Sequence, residues 1–285
     1  MKKPARHAPK LTHAAKPATF EVEAYNERGE MVPTAIAGEH PLTLYLDKRE
    51  IVTLMTLGHA PEALAIGYLR NQRLVSSVHE ISSVQVDWET DSAAITTHSK
   101  KPIPALDKKT VTSGCGQVTV FGDLMEEIDE IQLRNDIFLE DTNLFVLLEK
   151  VRKHETIYKQ AGAVHGCALA TTAGEILMFV EDVGRHNAVD AIAGFMWLDA
   201  IDGSDKVFYT TGRLTSEMVI KCAQMRIPFL VSRSGLTQMG YEIAHKVDMT
   251  MIGRATNRHY LLFTGAHRFR ADAATPPPPR RVPAT

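Results

Sequence analysis

The chain has no apolar run long enough to span a bilayer, and its basic first twenty residues lack the apolar core of a secretory signal. Its three cysteines are too few and odd in number for a disulfide framework. With 32 basic against 34 acidic residues, the formal net charge of −2 gives no electrostatic case for nucleic acid or an anionic membrane as partner. These absences predict a cytoplasmic protein that binds neither.

The pattern of apolar residues predicts two folded parts between two tails. Residues 19–108 alternate as strands around one helix, which predicts a β-rich α+β domain. Residues 125–267 alternate strands with helices through short loops, which predicts a layered α/β domain with a largely parallel sheet. Residues 109–124 are expected to be a mobile loop. We expect a disordered basic leader over 1–18 and a proline-rich tail over 268–285.

Several elements have clear local signals. A hairpin is predicted to turn at Asp47-Lys48, and a helix is predicted to start near Pro61, since proline favours the first helical turn. One helix is predicted from about Asp141 to Lys159, because its first residues suit an N-cap and its basic residues cluster toward the end. A second hairpin is predicted to turn at Ala173-Gly174.

The segment "TSGCGQVT" (112–119) places Cys115 between Gly114 and Gly116, in a stretch with no strongly apolar flank. A thiol in such a loop suits a nucleophile or a sulfur carrier. Reactivity needs the thiolate, which two lysines in "DKKT" (107–110) would favour. The alternative is an incidental exposed cysteine.

Three loops at strand ends concentrate polar residues: "EDVGRHN" (181–187), "TTGRLTSE" (210–217) and "SRSGLT" (232–237). Each follows an apolar strand and opens a helix, where free backbone amides accept an anion. Arg213 and Arg233 would add charge-assisted hydrogen bonds to phosphate oxygens. Because ligands of such sheets lie beyond the carboxyl ends of the strands, these loops predict a nucleotide diphosphate site.

The same loops also allow a purely structural interpretation. Ser216 would then cap its helix, and Arg213 and Arg233 would pair with Glu181 or Asp182.

The side chains of "EDVGRHN" leave similar alternatives open. Asp182 and His186 are candidates for an acid–base pair or for metal ligands, or they belong to a buried polar cluster that ties the helix start to the hairpin. His165 and Cys167 share one face of an apolar strand, but the chain has no C-x-x-C and no further ligands at zinc spacing, so no metal site is predicted. Cys222, inside an apolar helical run, is predicted to lie in the core.

With these residues in view, the chain resembles the FdhD family of sulfur-carrier accessory proteins of formate dehydrogenase. The resemblance runs from about residue 40 to about Phe263. It rests on "GAVHGCAL", "EDVGRHNAVD", "TGRLTSEMVIKCAQMRIPFLVSRSG" and "TMIGR", of which "EDVGRHNAVD" is the most specific.

The resemblance implies a function. Members of the family take sulfur from a cysteine desulfurase as a persulfide and pass it to the molybdenum of bis-molybdopterin guanine dinucleotide, before that cofactor enters formate dehydrogenase. The carrier cysteine of the family lies in a mobile loop and matches Cys115. Whether this relay counts as enzymatic sulfurtransferase activity stays open.

The resemblance also implies a fold and a site. The C-terminal domain is expected to be similar to cytidine deaminase and to bind the guanine nucleotide ends of the cofactor transiently, with GDP as a fragment of it. The protein is expected to form a homodimer. With the strand-end loops, this gives the predicted cofactor-binding residues: His165, Asp182, Arg185, His186, Arg213, Ser216, Arg233, Ser234, Arg254, Ala255, Thr256, Asn257, Arg258 and His259.

Two departures from the family pattern bear on mechanism. Val118 stands where members commonly have the second cysteine of C-x-x-C, which rules out an internal disulfide with Cys115 but not a persulfide. Ala191 stands where lysine usually follows "GRHNAVD". The loss at position 118 keeps a rival function open, a non-catalytic guanine-nucleotide or cofactor chaperone. A zinc nucleoside deaminase is a further alternative, but its H-x-E and P-C-x-x-C ligands and acid–base glutamate are missing.

Overall fold

The computed structural model describes residues 8–99, 109–111, 128 and 130–271. The chain divides into two compact units. The first comprises residues 1–128, 155–168 and 178–202, and the second comprises 129–154, 169–177 and 203–285. The fold is mixed α/β, as predicted. The predicted domain boundaries at 108 and 124 lie outside the described residues, as does Cys115.

The elements of the described chain alternate as follows. The strands are β1 (Lys10–Leu11), β2 (Thr19–Tyr25), β3 (Met31–Ala37), β4 (His40–Leu46), β5 (Arg49–Thr56), β6 (Ile81–Asp87), β7 (Ser92–Thr97), β8 (Lys109–Val111), β9 (Leu139–Glu140), β10 (His165–Thr171), β11 (Ile176–Asp182), β12 (Lys206–Thr210), β13 (Phe229–Ser232), β14 (Thr250–Thr256), β15 (His259–Thr264) and β16 (Phe269–Arg270). The helices are α1 (Pro61–Asn71), α2 (Asp141–His154), α3 (Ile157–Ala161), α4 (Arg185–Leu198), α5 (Ser216–Gln224) and α6 (Gln238–Lys246), with 3₁₀ turns at Val78–Glu80 and Ala266–Arg268.

The main sheet of the first unit has the strand order β1-β6-β7-β4-β5-β8. It contains the predicted hairpin β4–β5, in which Asp47 and Lys48 both adopt positive φ angles, of 47° and 74°. Two such residues make the tight turn whose twist matches antiparallel strands. Leu42, Leu44 and Leu46 alternate along β4 and are buried in the core beneath the sheet.

Helices α1 and α4 of the first unit cross with their backbones in contact. A Cβ atom at Gly194 would lie 1.9 Å from the carbonyl oxygen of Ala63, so only glycine allows this approach. Asn71 Nδ2 donates a buried 2.6 Å hydrogen bond to Asp190 Oδ1. Arg70 donates to the Ala193 carbonyl at 2.9 Å, and its burial lowers the pKa of the guanidinium to about 10.

The expected disorder of the leader is wrong for residues 10–16. Strand β1 pairs in parallel with β6, and the Thr12 hydroxyl bridges β6 by donating to the Val84 carbonyl and accepting from the Val86 amide. The Ala14 amide donates to Glu62 Oε1 at 2.8 Å, and the Lys16 ammonium lies 4.9 Å from the centre of the Trp88 ring. These polar contacts hold a segment whose own sequence has no strand pattern.

The sheet of the second unit includes the strand order β12-β13-β14-β15. Strands β12, β13 and β14 are parallel and β15 is antiparallel to β14, so the predicted parallel arrangement is confirmed for these strands. Helices α5 and α6 follow β12 and β13. Strands β10 and β11 are neighbours that turn at residues 172–175, as predicted, and each passes from one unit to the other.

The predicted single helix from Asp141 to Lys159 is wrong beyond His154. Helix α2 ends there, and the short helix α3 starts at Ile157 in the first unit. The carboxylate of Glu181 accepts the backbone amides of Thr156, Ile157 and Tyr158 at 3.0–3.1 Å. A remote carboxylate that satisfies these amides starts a new helix, which local sequence could not indicate.

The C-terminal tail begins later than predicted, because Arg268 and strand β16 are packed into the second unit. The Arg268 side chain is fully buried, and its Nε donates to the Arg134 carbonyl at 2.8 Å. The same guanidinium bonds to the side chains of Asn135 and Asp248, and β16 pairs with β9. We call this set of hydrogen bonds the Arg268 clasp. It joins a residue late in the second unit's sequence to residues near its start. Residues 272–285 lie outside the described part.

Crossing a bilayer takes about 20 apolar residues in one helix. The longest described helices, α2 and α4, have 14 residues, and none of the described helices qualifies as a membrane span.

Candidate functional site

The loops that follow β12 and β13 in the second unit run side by side. The Leu214 amide donates to the Gly235 carbonyl at 3.0 Å, and the Thr237 amide donates to the Leu214 carbonyl at 3.1 Å. Leu214 and Leu236 form a parallel bridge between the loops. The structure therefore brings together the two neighbouring strand-end loops that the sequence singles out, at the carboxyl ends of parallel strands.

Two buried hydroxyls hold these loops in shape. Thr210 Oγ1 accepts the Gly212 amide at 3.1 Å, while Ser232 Oγ donates to the Gly212 carbonyl at 2.6 Å and accepts the Ser234 amide at 2.8 Å. Sequence reasoning assigned neither hydroxyl a role. The available signal was a hydroxyl residue directly after an apolar run, 207–209 in β12 and 229–231 in β13.

Arg254 joins the same loops through its backbone. Its amide donates to the Ser234 carbonyl at 2.8 Å, and its φ angle of 51° lies in the left-handed region, at an irregularity in the pairing of β14 with β15. Non-glycine residues rarely adopt this conformation, and bulges of this kind redirect a side chain. Arg213 and Arg254 are exposed and Arg233 is partly exposed, so three guanidinium groups stem from one bonded set of loops.

The two helices that follow the loops begin differently. Thr237 is the N-cap of α6, and its hydroxyl accepts the Gly240 amide at 3.3 Å. Thr215 is the N-cap of α5, so Ser216 is not the cap that the structural alternative required, and no Thr215 side-chain cap bond is seen among the described residues. The Thr215 hydroxyl therefore does not occupy the backbone amides in the first turn of α5, and amides in this position suit an anion.

The remaining predicted residues of the second unit spread along the β14–β15 hairpin. Ala255 is buried, whereas Thr256 and His259 are exposed. Asn257 and Arg258 form the two-residue turn and line a groove of about 330 Å³ with residues of α2.

In the first unit, Asp182 is the centre of a buried hydrogen-bond network. Its Oδ2 accepts the Thr56 hydroxyl at 2.6 Å and the Leu57 amide at 3.0 Å, and its Oδ1 accepts the Gly184 amide and Asn187 Nδ2, both at 2.9 Å. Burial raises the pKa of the Asp182 carboxyl, although these four donors oppose the shift. The network ties the end of β5 to the start of α4, which favours a structural role.

Two of the other predicted residues of the first unit follow Asp182 closely in the sequence, and the third lies on the neighbouring strand β10. Arg185 and His186 are buried in the first turn of α4, and His165 is partly exposed at the start of β10. Their assignment to cofactor binding stays a prediction.

Sequence reasoning missed two partners of Asp182. Asn187 lies within the motif "EDVGRHN" and was a visible candidate; it also donates to the Met55 carbonyl at 2.6 Å. Thr56 lies 126 residues before Asp182, and nothing in the sequence connects the two.

Among the described residues, no three histidine, cysteine, aspartate or glutamate side chains converge as a set of metal ligands.

Comparison with known proteins assigns the family. Residues 37–270 match a family model described as the FdhD/NarQ family. The chain belongs to the FdhD/NarQ family. This match covers both strand-end loops, the Asp182 network and the position of Cys115, so the resemblance seen in the sequence is confirmed.

Relatives in the FdhD/NarQ family bear a common name. The sulfur carrier protein FdhD of Listeria monocytogenes is 28% identical over 87% of this chain and 95% of its own length. The sulfur carrier protein FdhD of Shouchella clausii is 30% identical over 82% of this chain and 89% of its own length.

One solved structure has the same fold. A protein from Desulfotalea psychrophila, described as a formate dehydrogenase accessory protein, superposes with a TM-score of 0.72 at 25% identity, over 89% of this chain and all of its own. The similarity to cytidine deaminase stays a prediction.

Proposed function

We propose that this FdhD/NarQ protein is a sulfur carrier that serves formate dehydrogenase. It accepts sulfur from a cysteine desulfurase as a persulfide on Cys115 and transfers it to the molybdenum of bis-molybdopterin guanine dinucleotide, its substrate. The proposal includes a homodimer acting in the cytoplasm. The names of its relatives support the carrier role.

The first step is an exchange of one sulfur atom. The Cys115 thiolate attacks the outer sulfur of the desulfurase persulfide, the S–S bond of the donor breaks, and the donor cysteine leaves as a thiolate. The transferred sulfur keeps its proton, so Cys115 carries a new persulfide. One cysteine suffices for this chemistry, which is therefore compatible with Val118 in place of a second thiol.

The burial of the other two cysteines is the observation that carries this assignment. Cys167 and Cys222 are both 0% exposed, within packed strands and helices. A thiolate that must meet the persulfide of another protein needs access, and burial in apolar surroundings disfavours the thiolate itself. Exclusion of these two cysteines leaves Cys115, which lies between two glycines in the sequence.

The strand-end loops of the second unit would hold the guanine nucleotide end of the substrate. The first-turn amides of α5 and the guanidinium groups of Arg213, Arg233 and Arg254 supply the donors that a diphosphate requires. These residues bind and orient the nucleotide and leave the sulfur chemistry to the cysteine.

Labelled sulfur tests the proposal. The protein is incubated with a cysteine desulfurase and ³⁵S-cysteine, separated without reductant and mapped by mass spectrometry. Label on Cys115 in the wild type, in Cys222→Ala and in Cys167→Ala, but not in Cys115→Ala, is expected. Equal labelling of wild type and Cys115→Ala would refute it.

A companion assay in cells separates the carrier from the cofactor chaperone. If Cys115→Ala supports full formate dehydrogenase activity, the protein acts as a chaperone and Cys115 has no chemical role. The carrier predicts that activity is lost although the variant protein accumulates and still binds GDP.

A further inference from the structure

The first unit contains a cavity of about 530 Å³, and none of its described lining residues belongs to the predicted cofactor site. Cavities that bind small molecules measure about 300–1,000 Å³ and are mostly apolar, with a few polar groups that orient the ligand. This cavity has the same character. Its apolar lining includes Phe179, Phe195 and Leu198, and its polar lining consists, in the described part of the chain, of His13, His59, Glu62 and Asp199.

The walls of the cavity are built by α1, β11, α4 and residues 10–16, which we call the N-terminal strap. The backbones of α1 and α4 are in contact at Gly194, so these two walls keep a fixed spacing. The strap is held by its pairing with β6 and by the Trp88 indole N–H, which donates to the Ala14 carbonyl at 2.5 Å. The cavity is therefore enclosed by elements that are already bonded to one another.

Glu62 is the most enclosed polar group of the described lining. The residue is only 7% exposed, whereas the other three polar residues of the lining are exposed. Glu62 Oε1 accepts the Ala14 amide at 2.8 Å, and within the described residues Oε2 has no hydrogen-bond partner. A carboxylate oxygen that is withdrawn from water without a donor is unfavourable. A ligand in the cavity that donates to Oε2 would remove this cost.

The lining favours positive charge in its ligand. Glu62 and Asp199 supply two carboxylates, and no lysine or arginine is among the described lining residues. Asp199 follows the last residue of α4, where the helix dipole adds partial negative charge. Glu62 lies in the first turn of α1 and offsets the partial positive charge of that helix start. A cation is therefore favoured in the cavity, and a nucleotide or another anion is disfavoured.

The apolar lining favours an aromatic body for the same ligand. Phe179 and Phe195 are both partly exposed where they line the cavity, so their rings are open to a flat apolar group. An ammonium group is also attracted to the face of a phenylalanine ring. The cavity has room for roughly ten to twenty non-hydrogen atoms, since one water molecule takes about 30 Å³.

We infer that this cavity binds a small aromatic amine. The ammonium group donates to Glu62 Oε2, the ring packs against Phe179 and Phe195, and Asp199 adds a second negative charge at the exposed side. The lining residues belong to the first unit, whereas the loops of the proposed nucleotide site belong to the second, and the inference does not depend on the sulfur chemistry. Because Glu62 also holds the Ala14 amide, the bound amine and the strap share one carboxylate.

Three probes with the same ring and similar chains test the charge preference. The full chain, labelled with ¹⁵N, is titrated at neutral pH with 2-phenylethylamine, with uncharged 2-phenylethanol and with anionic 3-phenylpropionate, and amide shifts are followed by NMR. The amine should bind at least about tenfold more tightly than the alcohol, and the propionate should bind least. The largest shifts should fall on residues 11–15, 59–63 and 195–199, with the Ala14 amide among them.

Two variants with a matched control assign the charge to its residues. Glu62→Gln keeps the shape of the side chain and an acceptor for the Ala14 amide, and it should weaken amine binding at least about tenfold while leaving alcohol binding unchanged. Asp199→Asn, at an exposed carboxylate, should weaken amine binding by a smaller factor. Glu27→Gln removes the same charge from the exposed turn between β2 and β3 and should bind the amine as the wild type does.

Four results overturn the inference: no binding of the amine at millimolar concentration, equal affinity for amine and alcohol, tightest binding of the propionate, or shifts centred on residues 210–217 and 232–237. Amine binding by Glu62→Gln that equals that of the wild type also overturns it. Circular dichroism establishes that each variant is folded. If Glu62→Gln does not fold, Asp199→Asn and the comparison of the three probes on the wild type decide the question.

Discussion

A Cβ atom at Gly67 would lie 1.7 Å from the carbonyl oxygen of Asp190. This distance is far inside van der Waals contact, and the obstacle is the backbone of α4, which cannot rotate away as a side chain would. The crossing of α1 and α4 therefore depends on the absence of a side chain at this position.

Gly67→Ala should accordingly lower the free energy of unfolding by about 3 kcal/mol, since overpacking of a rigid contact forces the helices apart. Urea unfolding followed by circular dichroism measures the change. Gly235→Ala is the control, because a Cβ there would meet nothing within 4 Å and the effect should stay within about 0.5 kcal/mol. Equal midpoints for the two variants would contradict the predicted crossing.

The second prediction concerns the pH dependence of Asp182. Burial raises its pKa in the folded protein above the value of about 3.9 expected in the unfolded chain. Between these two pKa values the folded state holds the proton more strongly, so this group makes the free energy of unfolding fall as pH rises through the window. The Asp182→Asn variant has no carboxyl proton to lose at this position, so its free energy of unfolding should not decrease over this pH range.

The Asp182→Asn variant also places an amide N–H group against buried donors. Its free energy of unfolding should therefore be about 1–3 kcal/mol lower than that of the wild type at the acid end of this pH range. The difference between the two proteins should narrow as pH rises, because only the wild type loses stability. Unfolding in urea at a series of pH values measures both curves. Asp199→Asn, at an exposed carboxylate, should follow the wild type. A constant difference between Asp182→Asn and the wild type at all pH values would exclude the raised pKa.

The third prediction concerns Arg268. Arg268→Met fills the space of the side chain but leaves the Arg134 and Asp248 carbonyls without their donor, so it should cost about 3–5 kcal/mol of unfolding free energy. Arg270→Met, two residues further on and exposed over the Phe138 ring, should cost less than about 1 kcal/mol. Thermal unfolding compares the two, and similar losses would show that the buried guanidinium has no special importance.

The fourth prediction concerns the strand-end loops. Arg213→Ala and Arg254→Ala should each weaken GDP binding about 10- to 100-fold, because each removes charge-assisted hydrogen bonds to phosphate. Isothermal titration calorimetry with GDP measures this, and Arg226→Ala, an exposed arginine that follows the end of α5, is the matched control. If all three variants bind GDP equally, the nucleotide is held elsewhere.

Features of the fold with local causes could be predicted from the sequence. The turn at Asp47-Lys48 and the helix start at Pro61 depend on residues within a few positions of one another. The break after His154 could not be predicted, because Glu181 causes it from 25 residues away in the sequence. The order of residues 10–16 likewise depends on partners in β6, more than 70 residues further along the chain.

The candidate site shows the same division. The loops with Arg213 and Arg233 were predictable, since carboxyl ends of neighbouring parallel strands meet at one edge of a sheet. The bond between Thr56 and Asp182 was not, because no local pattern pairs residues so far apart. The role of Cys115 stays a prediction from its sequence context.

The clasp around Arg268 also sets an order of events during synthesis. Arg134 and Asn135 are translated 134 and 133 residues before Arg268, whose guanidinium bonds to them. The second unit therefore cannot form these hydrogen bonds until residue 268 has been translated, whereas the hairpins of the first unit, whose strands are adjacent in sequence, can form on the growing chain.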